Sequence, residues 1–148
     1  MSQDAIKRAS ELINSKTADK TDIGFGGYAA LSTIDENGYP SASTFSISRA
    51  DGINWITFAT GKEGRPYAER ISKNNKACAC INSETYTINL VGTVEALTDI
   101  ETKKANWNPA WTAHWSGPDD PQMLVLRFRT ERYTIFFVDD GGYAAGEM

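Results

Sequence analysis

The sequence predicts a mainly β protein with short helices, folded as a closed or partly closed antiparallel barrel. Six segments alternate apolar and polar residues with the period of a β-strand, and turn-forming residues separate them. Two short helical segments interrupt the strands, and a third precedes them. Closure of the barrel would remove the strand edges that an open sheet exposes. The length of 148 residues, 41% of them hydrophobic, fits one domain with its own core.

The first half of the chain is expected to form one helix and three strands. Apolar residues recur at helical spacing near the N-terminus, and Asp4 is the expected N-cap of that helix. The Asn37-Gly38 pair favours a hairpin turn between the first two strands. The expected elements are a helix over 4–13, a loop over 14–27 and strands over 28–34, 40–48 and 53–59, with a turn at 50–52.

The second half is expected to form two short helices and three longer strands. Pro66 suits the first turn of one helix, and the capping box from Thr98 to Glu101 begins the other. Gly92 indicates a bulge or a bend of the barrel. The expected elements are a helix from Pro66, strands over 77–81 and 85–96, a helix from Thr98 ended by Asn108-Pro109, and one or two strands over 123–138.

The net charge and the hydropathy of the sequence limit the classes of partner that the protein can bind. The net charge is -4 and the basic residues are scattered, which argues against binding to nucleic acid. No apolar run approaches the length of a membrane span, and the first residues carry two acids without a signal-peptide pattern. These features favour a cytoplasmic protein without a membrane partner.

The two cysteines, Cys78 and Cys80, are expected to be reduced and buried. At i and i+2 on a strand they lie on one face roughly 7 Å apart, too far for an unstrained disulfide. Their spacing also differs from the C-x-x-C redox motif. Free thiols are typical of a reducing cytoplasm, and with one histidine in the chain no metal site is expected.

The connection from Trp107 to Pro121, with the sequence WNPAWTAHWSGPDDP, is unusually long and aromatic. It holds three of the four tryptophans and the only histidine of the chain. A long connection between strands usually has a function of its own. The aromatic rings either plug one end of the barrel or cover a flat ligand, and Trp111 and Trp115 are the candidates for ligand contact. His114 is interpreted as a packing or ligand-contact residue rather than a general base, and Asp119-Asp120 as turn formers.

One further segment could bind a phosphate group. Thr60 ends a strand, and Lys62 and Arg65 precede the helix that begins near Pro66. A hydroxyl, two cations and helix N-terminal amides would converge there. The alternative is a solvated turn with two surface cations. The segment Gly24 to Gly27 is interpreted as a loop and not a nucleotide-binding motif, because it does not follow a strand.

The order of segments resembles the pyridoxamine 5'-phosphate oxidase-like flavin-binding split barrels over roughly residues 5–140. The branch that it resembles is general stress protein 26, in which a Trp-Asn-Pro element leads to a Gly-Pro-Asp-Asp-Pro turn. The stretches that carry the resemblance are ALSTIDENGYPSASTF, INWITFATGKEGRPYAERISKNNKACACI, INLVGTVEAL and DIETKKANWNPAWTAHWSGPDDPQMLVLRF.

The resemblance implies a six-stranded antiparallel split β-barrel that forms a homodimer with FMN, or a related flavin, at the subunit interface. By the same resemblance, the residues that contact the flavin are Ser43, Thr44 and Phe45 on the second strand, Phe58, Ala59 and Thr60 at the end of the third, and Lys62, Arg65 and Tyr67 at the helix start. Relatives often carry an arginine where this chain has Ser43, and a Ser-Arg-Lys run where it has Arg65-Pro66-Tyr67. Either Lys62 and Arg65 compensate, or FMN binds weakly or not at all.

The leading functional hypothesis is a cytoplasmic FMN-dependent oxidoreductase that acts on a small-molecule redox partner. No residue stands out as an indispensable acid or base, so none is named as catalytic. The first alternative is a protein that binds flavin or another flat ligand, such as a deazaflavin or haem, without turnover. The second is a stress-related scaffold with an empty cleft. A fold resemblance alone does not choose among these functions.

Overall fold

The computed structural model describes residues 2–148 and confirms the mainly β class with short helices. Two short 3₁₀ segments accompany the helices. The helices are α1 (Ser2–Asn14), α2 (Tyr67–Lys73) and α3 (Ile100–Asn106), and the 3₁₀ segments are Ala18–Lys20 and Pro109–Ala113. The strands are β1 (Tyr28–Ile34), β2 (Pro40–Ser46), β3 (Arg49–Asp51), β4 (Trp55–Gly61), β5 (Lys76–Asn82), β6 (Tyr86–Leu97), β7 (Met123–Phe137) and β8 (Gly142–Glu147).

The strands form one antiparallel sheet that curls on itself. Its order is β2-β1-β5-β6-β7-β4-β3, and β8 also pairs with β7. Strand β7 pairs with β6 along its length, while its other edge is shared by β4 and β8. Phe45 on β2 lies 5.7 Å from Phe58 on β4 between ring centroids. Because β2 begins this order and β4 lies near its end, the contact brings the two ends of the sheet together.

The main core fills the inside of the curled sheet. Ile56 and Phe58 point inward from β4, and Leu126 and Phe128 point inward from β7. Helix α1 packs Ala5, Ala9 and Ile13 onto the same core, as their helical spacing predicts. The inward positions expected on the last strand, which include Ile135 and Phe137, are buried as well.

A second, smaller core lies on the outer face of β4 and β7. It comprises Ala18, Trp111, Met123 and Val125, with Trp107 and Trp115 packed against it. Since side chains alternate along a strand, Met123 and Val125 face away from the main core that holds Leu124 and Leu126. The aromatic connection therefore covers the outer side of the sheet.

The structure differs from the sequence prediction at several element boundaries. Eight strands replace the expected six, because β3 forms within a predicted turn and β8 pairs with the second half of β7. Helix α1 already includes Ser2, so Asp4 lies in its first turn and is not the N-cap. The N-cap of α3 is Asp99, not Thr98, and its carboxylate accepts a hydrogen bond from the Thr102 amide at 3.0 Å.

Three other local expectations are confirmed. The β6–β7 register shifts between Val91 and Gly92, which is the bulge expected at Gly92. Helix α3 ends at Asn106, before Asn108-Pro109. Both cysteines are free thiols on β5 as expected, but each is only partly buried and not buried as predicted. Among the helices of residues 2–148, none is long and apolar enough to cross a membrane.

Candidate ligand cleft

A cleft of about 460 Å³ opens where β2, the end of β4 and the aromatic connection meet. This volume lies within the range of small-molecule binding sites. Its walls combine aromatic rings with hydroxyl groups and one guanidinium. The residues that line it are Phe25, Tyr28, Thr44, Phe45, Ser46, Ala59, Thr60, Gly61, Arg65, Trp111, His114 and Trp115.

One wall is the glycine-rich loop 21–27, which the aromatic connection holds in place. The Trp111 indole nitrogen donates a hydrogen bond to the Gly24 carbonyl at 2.7 Å. Gly24 has a φ of 78°, and a Cβ there would lie 2.7 Å from the Cβ of Ala110. Glycine is therefore required at this position, both for the backbone conformation and for the close approach of the two segments.

The same loop is tied to β2. The Gly26 amide donates to the Ser46 hydroxyl at 2.7 Å, and the Ile47 amide donates to the Gly27 carbonyl at 2.9 Å. A Cβ on Gly26 would clash with the Lys16 carbonyl oxygen, so a larger residue would displace the loop. The segment is a loop, as predicted, and these hydrogen bonds fix where it places Phe25 and Tyr28.

The tryptophans of the connection have different roles. Trp107, Trp111 and Trp115 form a chain of edge-to-face contacts, each with ring centroids 5.8 Å apart. Trp111 is only 4% exposed and belongs to the second core, whereas Trp115 is half-buried and faces the cleft. Trp107 packs against the same core but does not line the cleft. The connection thus covers the outer face of the sheet, not one end of the barrel, and it also borders a pocket. Contact between these rings and a flat ligand stays a prediction.

The cationic end of the cleft is formed by Arg65 and Thr60. The Arg65 guanidinium donates to the Thr60 hydroxyl at 3.2 Å, where β4 nears its end. Helix α2 begins only at Tyr67, with Pro66 as its N-cap, and has seven residues. The proposed phosphate cradle therefore depends on the side chains of Thr60 and Arg65. The exposed Lys62 side chain does not line the cleft.

The residues predicted to contact a cofactor separate into two groups. The predicted residues that line the cleft are Thr44, Phe45, Ala59, Thr60, Arg65, Trp111 and Trp115. Those outside the lining are Ser43, Phe58, Lys62 and Tyr67. Phe58 is fully buried in the main core, and the Tyr67 hydroxyl donates to Ser43 at 3.0 Å. Ser43 shares its side of β2 with Phe45 but is bonded to Tyr67 and not part of the cleft lining.

Sequence reasoning did not assign Phe25, Tyr28 or Ser46 to the site. Tyr28 is 68% exposed at the start of β1, and an exposed aromatic residue at a strand end is the signal that could have identified it. Phe25 meets His114 edge to face with centroids 5.9 Å apart. This contact between two distant loops has no pattern in the sequence.

The polar side chains of the cleft divide into bonded and unbonded ones. Ser46, Thr60 and Trp111 each make an internal hydrogen bond. Within the described residues, four lining residues have side-chain polar groups with no hydrogen-bond partner: Tyr28, Thr44, His114 and Trp115. Tyr28, Thr44 and His114 are exposed and Trp115 is half-buried, so these groups can bond to water and are accessible to a ligand.

The charge of the lining favours an anion. Arg65 is its permanently charged side chain, and no lining residue within 2–148 is a carboxylate. A guanidinium beside a hydroxyl suits a phosphate or carboxylate group, and the rings of Tyr28 and Trp115 suit a flat apolar one. Across the described part of the chain, no group of three or more His, Cys, Asp or Glu is arranged to hold a metal ion.

Comparison with known proteins gives a family match and several structural neighbours. A family model described as pyridoxamine 5'-phosphate oxidase matches residues 27–136. Among curated proteins, none matches the sequence.

The structure is similar to a Clostridium acetobutylicum protein related to general stress protein 26 of B. subtilis, of the pyridoxinephosphate oxidase family. The TM-score is 0.79 at 24% identity, covering 100% of this chain and 97% of that chain. It is also similar to general stress protein 26 of Bacillus anthracis (TM-score 0.66, 16% identity, 97% and 98% covered). A third neighbour is the general stress FMN/FAD binding protein of Xanthomonas citri (TM-score 0.68, 18% identity, 90% and 91% covered). At these low identities, the TM-scores show a shared fold.

Proposed function

Because the chain belongs to the pyridoxamine 5'-phosphate oxidase family, we propose that its cleft binds a flavin, most favourably FMN. One observation carries the proposal: the Arg65–Thr60 pair and the half-buried Trp115 ring border the same cavity. A cation at one end and aromatic rings along the wall match a ligand with a phosphate and a flat ring system. The FMN/FAD binding named for the Xanthomonas citri neighbour supports the proposal.

The residues of the cleft fit such a ligand. Among the described residues, Thr60 is the one hydrogen-bond partner of the Arg65 guanidinium, so its other N–H groups would bind a phosphate. The free groups of Tyr28, Thr44 and Trp115 would hydrogen-bond a polar ring edge. FMN is favoured over riboflavin because its phosphate would give Arg65 a partner of opposite charge. Without the phosphate, the lining residues offer none.

A bound flavin would supply redox chemistry, and the protein would supply binding, orientation and shielding from water. This division of roles favours an oxidoreductase that acts on a small-molecule redox partner. The second candidate is a flavin-binding protein without turnover. It is favoured by the absence of any carboxylate from the lining within residues 2–148, since an acid or base in the cleft would have to be His114 or Tyr28.

We also propose a homodimer that completes the cleft. The outer face of the sheet carries two adjacent rows of side chains across neighbouring strands. One row, in register, is uncharged and comprises Thr44, Ala30, Cys80, Asn89, Thr134 and Ala145. The other is uncharged through Ala42, Ser32, Cys78 and Val91 and ends in Arg132 and Glu147. Thr44 belongs to this face and also lines the cleft. A second copy packed on the face would therefore adjoin the ligand, and large uncharged faces are typical of interfaces.

The proposed setting is the cytoplasm. Cys78 and Cys80 are free thiols near each other on one face of β5, and such thiols persist best in a reducing compartment. Oxidising compartments would favour their modification, and the proposed interface contains both.

The experiment that tests the flavin proposal is the visible spectrum of the purified protein, with identification of any released chromophore. We expect a flavin spectrum and release of FMN. A colourless protein that also fails to take up added FMN would contradict the proposal. Reduction of the bound flavin by NAD(P)H, followed by multiple turnovers with an acceptor, would distinguish an oxidoreductase from a binding protein.

The dimer is tested separately by light scattering. We expect a dimer mass for the wild type and a monomer mass for Ala30→Arg, which places a charge on the proposed interface. Ala105→Arg, on the exposed side of α3, is the matched control and should remain dimeric. A wild-type protein that is monomeric at micromolar concentration would contradict the shared cleft.

A further inference from the structure

We infer that Asp120, anchored by the buried Lys103, is a positioning residue that holds Trp115 and Arg65 in one arrangement around the cleft. Asp120 does not line the cleft and acts through these two residues. The inference rests on the proposed function, because it concerns the same cleft, and it adds a residue that neither the sequence nor the family resemblance assigned to the site.

Lys103 provides the anchor. Its side chain is only 4% exposed on α3, and its ammonium donates to the Asp120 carbonyl oxygen at 2.7 Å. A buried ammonium is costly unless its hydrogen bonds are made, so this contact strongly constrains the position of the 116–122 turn. The Met123 amide donates to the same carbonyl at 3.1 Å and continues the chain into β7.

The Asp120 carboxylate accepts hydrogen bonds from backbone amides at both ends of the 116–122 turn. One oxygen accepts from the Ser116 amide at 3.0 Å, and the other accepts from the Gln122 amide at 2.9 Å. These backbone donors, Gln122 first, hold the pKa of Asp120 below its ordinary value. The carboxylate thus fixes two points of the backbone that lie six residues apart.

Each of these points leads to one wall of the cleft. Ser116 directly follows Trp115, whose indole nitrogen lies near Gly61. The Gln122 carbonyl accepts from the Lys62 amide at 2.9 Å, and the Lys62 carbonyl accepts from the Arg65 amide at 3.0 Å. Loss of the Asp120 carboxylate would therefore loosen the aromatic wall and the cationic turn together.

The neighbouring Asp119 is a matched control. Its side chain is exposed and makes no hydrogen bond to any of residues 2–148. Asp119→Asn removes the same charge at nearly the same place without removing a contact. A difference between variants at 119 and 120 therefore reports on the hydrogen bonds and not on the net charge.

The test is a double-mutant cycle on FMN affinity. If Asp120 acts in part through Arg65, Asp120→Ala should weaken FMN binding at least about fivefold in the wild type and by a clearly smaller factor in the Arg65→Ala background, where only the contribution through Trp115 remains. Asp119→Asn should leave the affinity unchanged in both. Equal losses in the two backgrounds would overturn the inference. If Asp120→Ala does not fold, Asp120→Asn and Lys103→Met test the same coupling.

A second measurement does not depend on flavin binding. Hydrogen exchange in the ligand-free protein should accelerate at the Ser116 and Lys62 amides in Asp120→Ala, and at neither in Asp119→Asn. Acceleration at Ser116 alone would overturn the coupling to the Arg65 turn. If the wild type binds no FMN, the proposed function fails, and hydrogen exchange still decides whether Asp120 couples the two walls.

Discussion

The indole nitrogen of Trp111 donates a hydrogen bond to the carbonyl oxygen of Gly24 at 2.7 Å, across 87 residues of sequence. This bond joins the aromatic connection to the glycine-rich loop, and both segments border the cleft. Trp111 is almost fully buried while Trp115 is half-exposed. We therefore expect Trp111 to have mainly a structural role and Trp115 to have a role in ligand binding.

Trp111→Phe should destabilise the protein. The substitution leaves the Gly24 carbonyl without its donor, which costs roughly 1–3 kcal/mol of the free energy of unfolding. Trp115→Phe should lower that free energy less, because it loses some packing against the second core but no hydrogen bond to any described residue. Chemical denaturation of both variants measures the difference, and equal destabilisation would contradict the assignment.

For FMN affinity, the order of the two effects should be reversed, with Trp115→Phe having the larger effect. Trp115→Phe removes an indole N–H that faces the cleft, and we expect FMN affinity to fall about threefold to tenfold. Trp111→Phe should change the affinity less when measured at a temperature where it is fully folded. Titration monitored by tryptophan and flavin fluorescence distinguishes the two. Unchanged affinity in Trp115→Phe would leave the aromatic connection with a packing role alone.

Tyr67→Phe should affect stability and not ligand binding. The Tyr67 hydroxyl donates to Ser43 at 3.0 Å, away from the cleft lining. Removal of this hydroxyl should lower the free energy of unfolding by about 1 kcal/mol. The sequence-based prediction that both residues contact the flavin leads to a different result, namely a marked loss of FMN affinity. Parallel denaturation and FMN titration of this one variant decide between them.

The thiols of Cys78 and Cys80 should react slowly at neutral pH. Burial raises the pKa of both, and the neighbouring Cys80 raises that of Cys78 further. Since the thiolate is the reactive form, alkylation rates should increase only at higher pH than for free cysteine. Iodoacetamide labelling of each single Cys→Ser variant across pH 6 to 10, with glutathione as reference, provides the check. A rate that levels off at lower pH than that of glutathione would contradict this account.

The free energy of unfolding should decrease in acid because of three carboxylates, which lie in turns or at a helix cap. The Thr102 hydroxyl lowers the pKa of Asp99, the Gln122 amide that of Asp120, and the Arg8 guanidinium that of Asp139. A carboxyl whose pKa is lower in the folded state stabilises the fold above its unfolded pKa, here near 3.8, and loses that effect as pH falls through the folded value.

The free energy of unfolding should therefore fall as pH drops from about 5 towards 2. Asp120→Asn should flatten this dependence, whereas Asp119→Asn should follow the wild type more closely. Urea denaturation at a series of pH values measures both slopes. Identical slopes for the two variants would mean that the Asp120 hydrogen bonds do not couple its ionisation to folding.

The fold could be predicted because its strands alternate in hydrophobicity and its turns have clear residue signals. The inward positions from Leu124 to Phe137 followed directly from that alternation. Strand β8 was missed because Gly142 to Glu147 has little apolar content, and its pairing with β7 is a tertiary effect. The start of α3 was predicted one residue too early, at Thr98 and not at Asp99, because both residues are suitable caps.

The cleft was only partly predictable. The resemblance indicated Thr44, Thr60 and Arg65, which do line it. It also indicated Ser43 and Phe58, but Ser43 is bonded to Tyr67 and Phe58 is fully buried in the main core, so neither lines the cleft. The contributions of Phe25 and Tyr28 depend on a loop whose position is set by Trp111 and Ser46, far away in sequence. No local pattern encodes such a contact.

The most direct test of the account is a titration of FMN and riboflavin into the wild type and Arg65→Ala. A charge-assisted hydrogen bond to phosphate contributes roughly 1.5–3 kcal/mol, so Arg65→Ala should weaken FMN binding about tenfold or more. Riboflavin lacks the phosphate and should lose less than about threefold. Lys62→Ala, which removes a cation outside the cleft lining, is the matched control and should bind both flavins nearly normally. Equal losses of the two flavins in Arg65→Ala, or no FMN binding by the wild type, would contradict the assignment of this cleft.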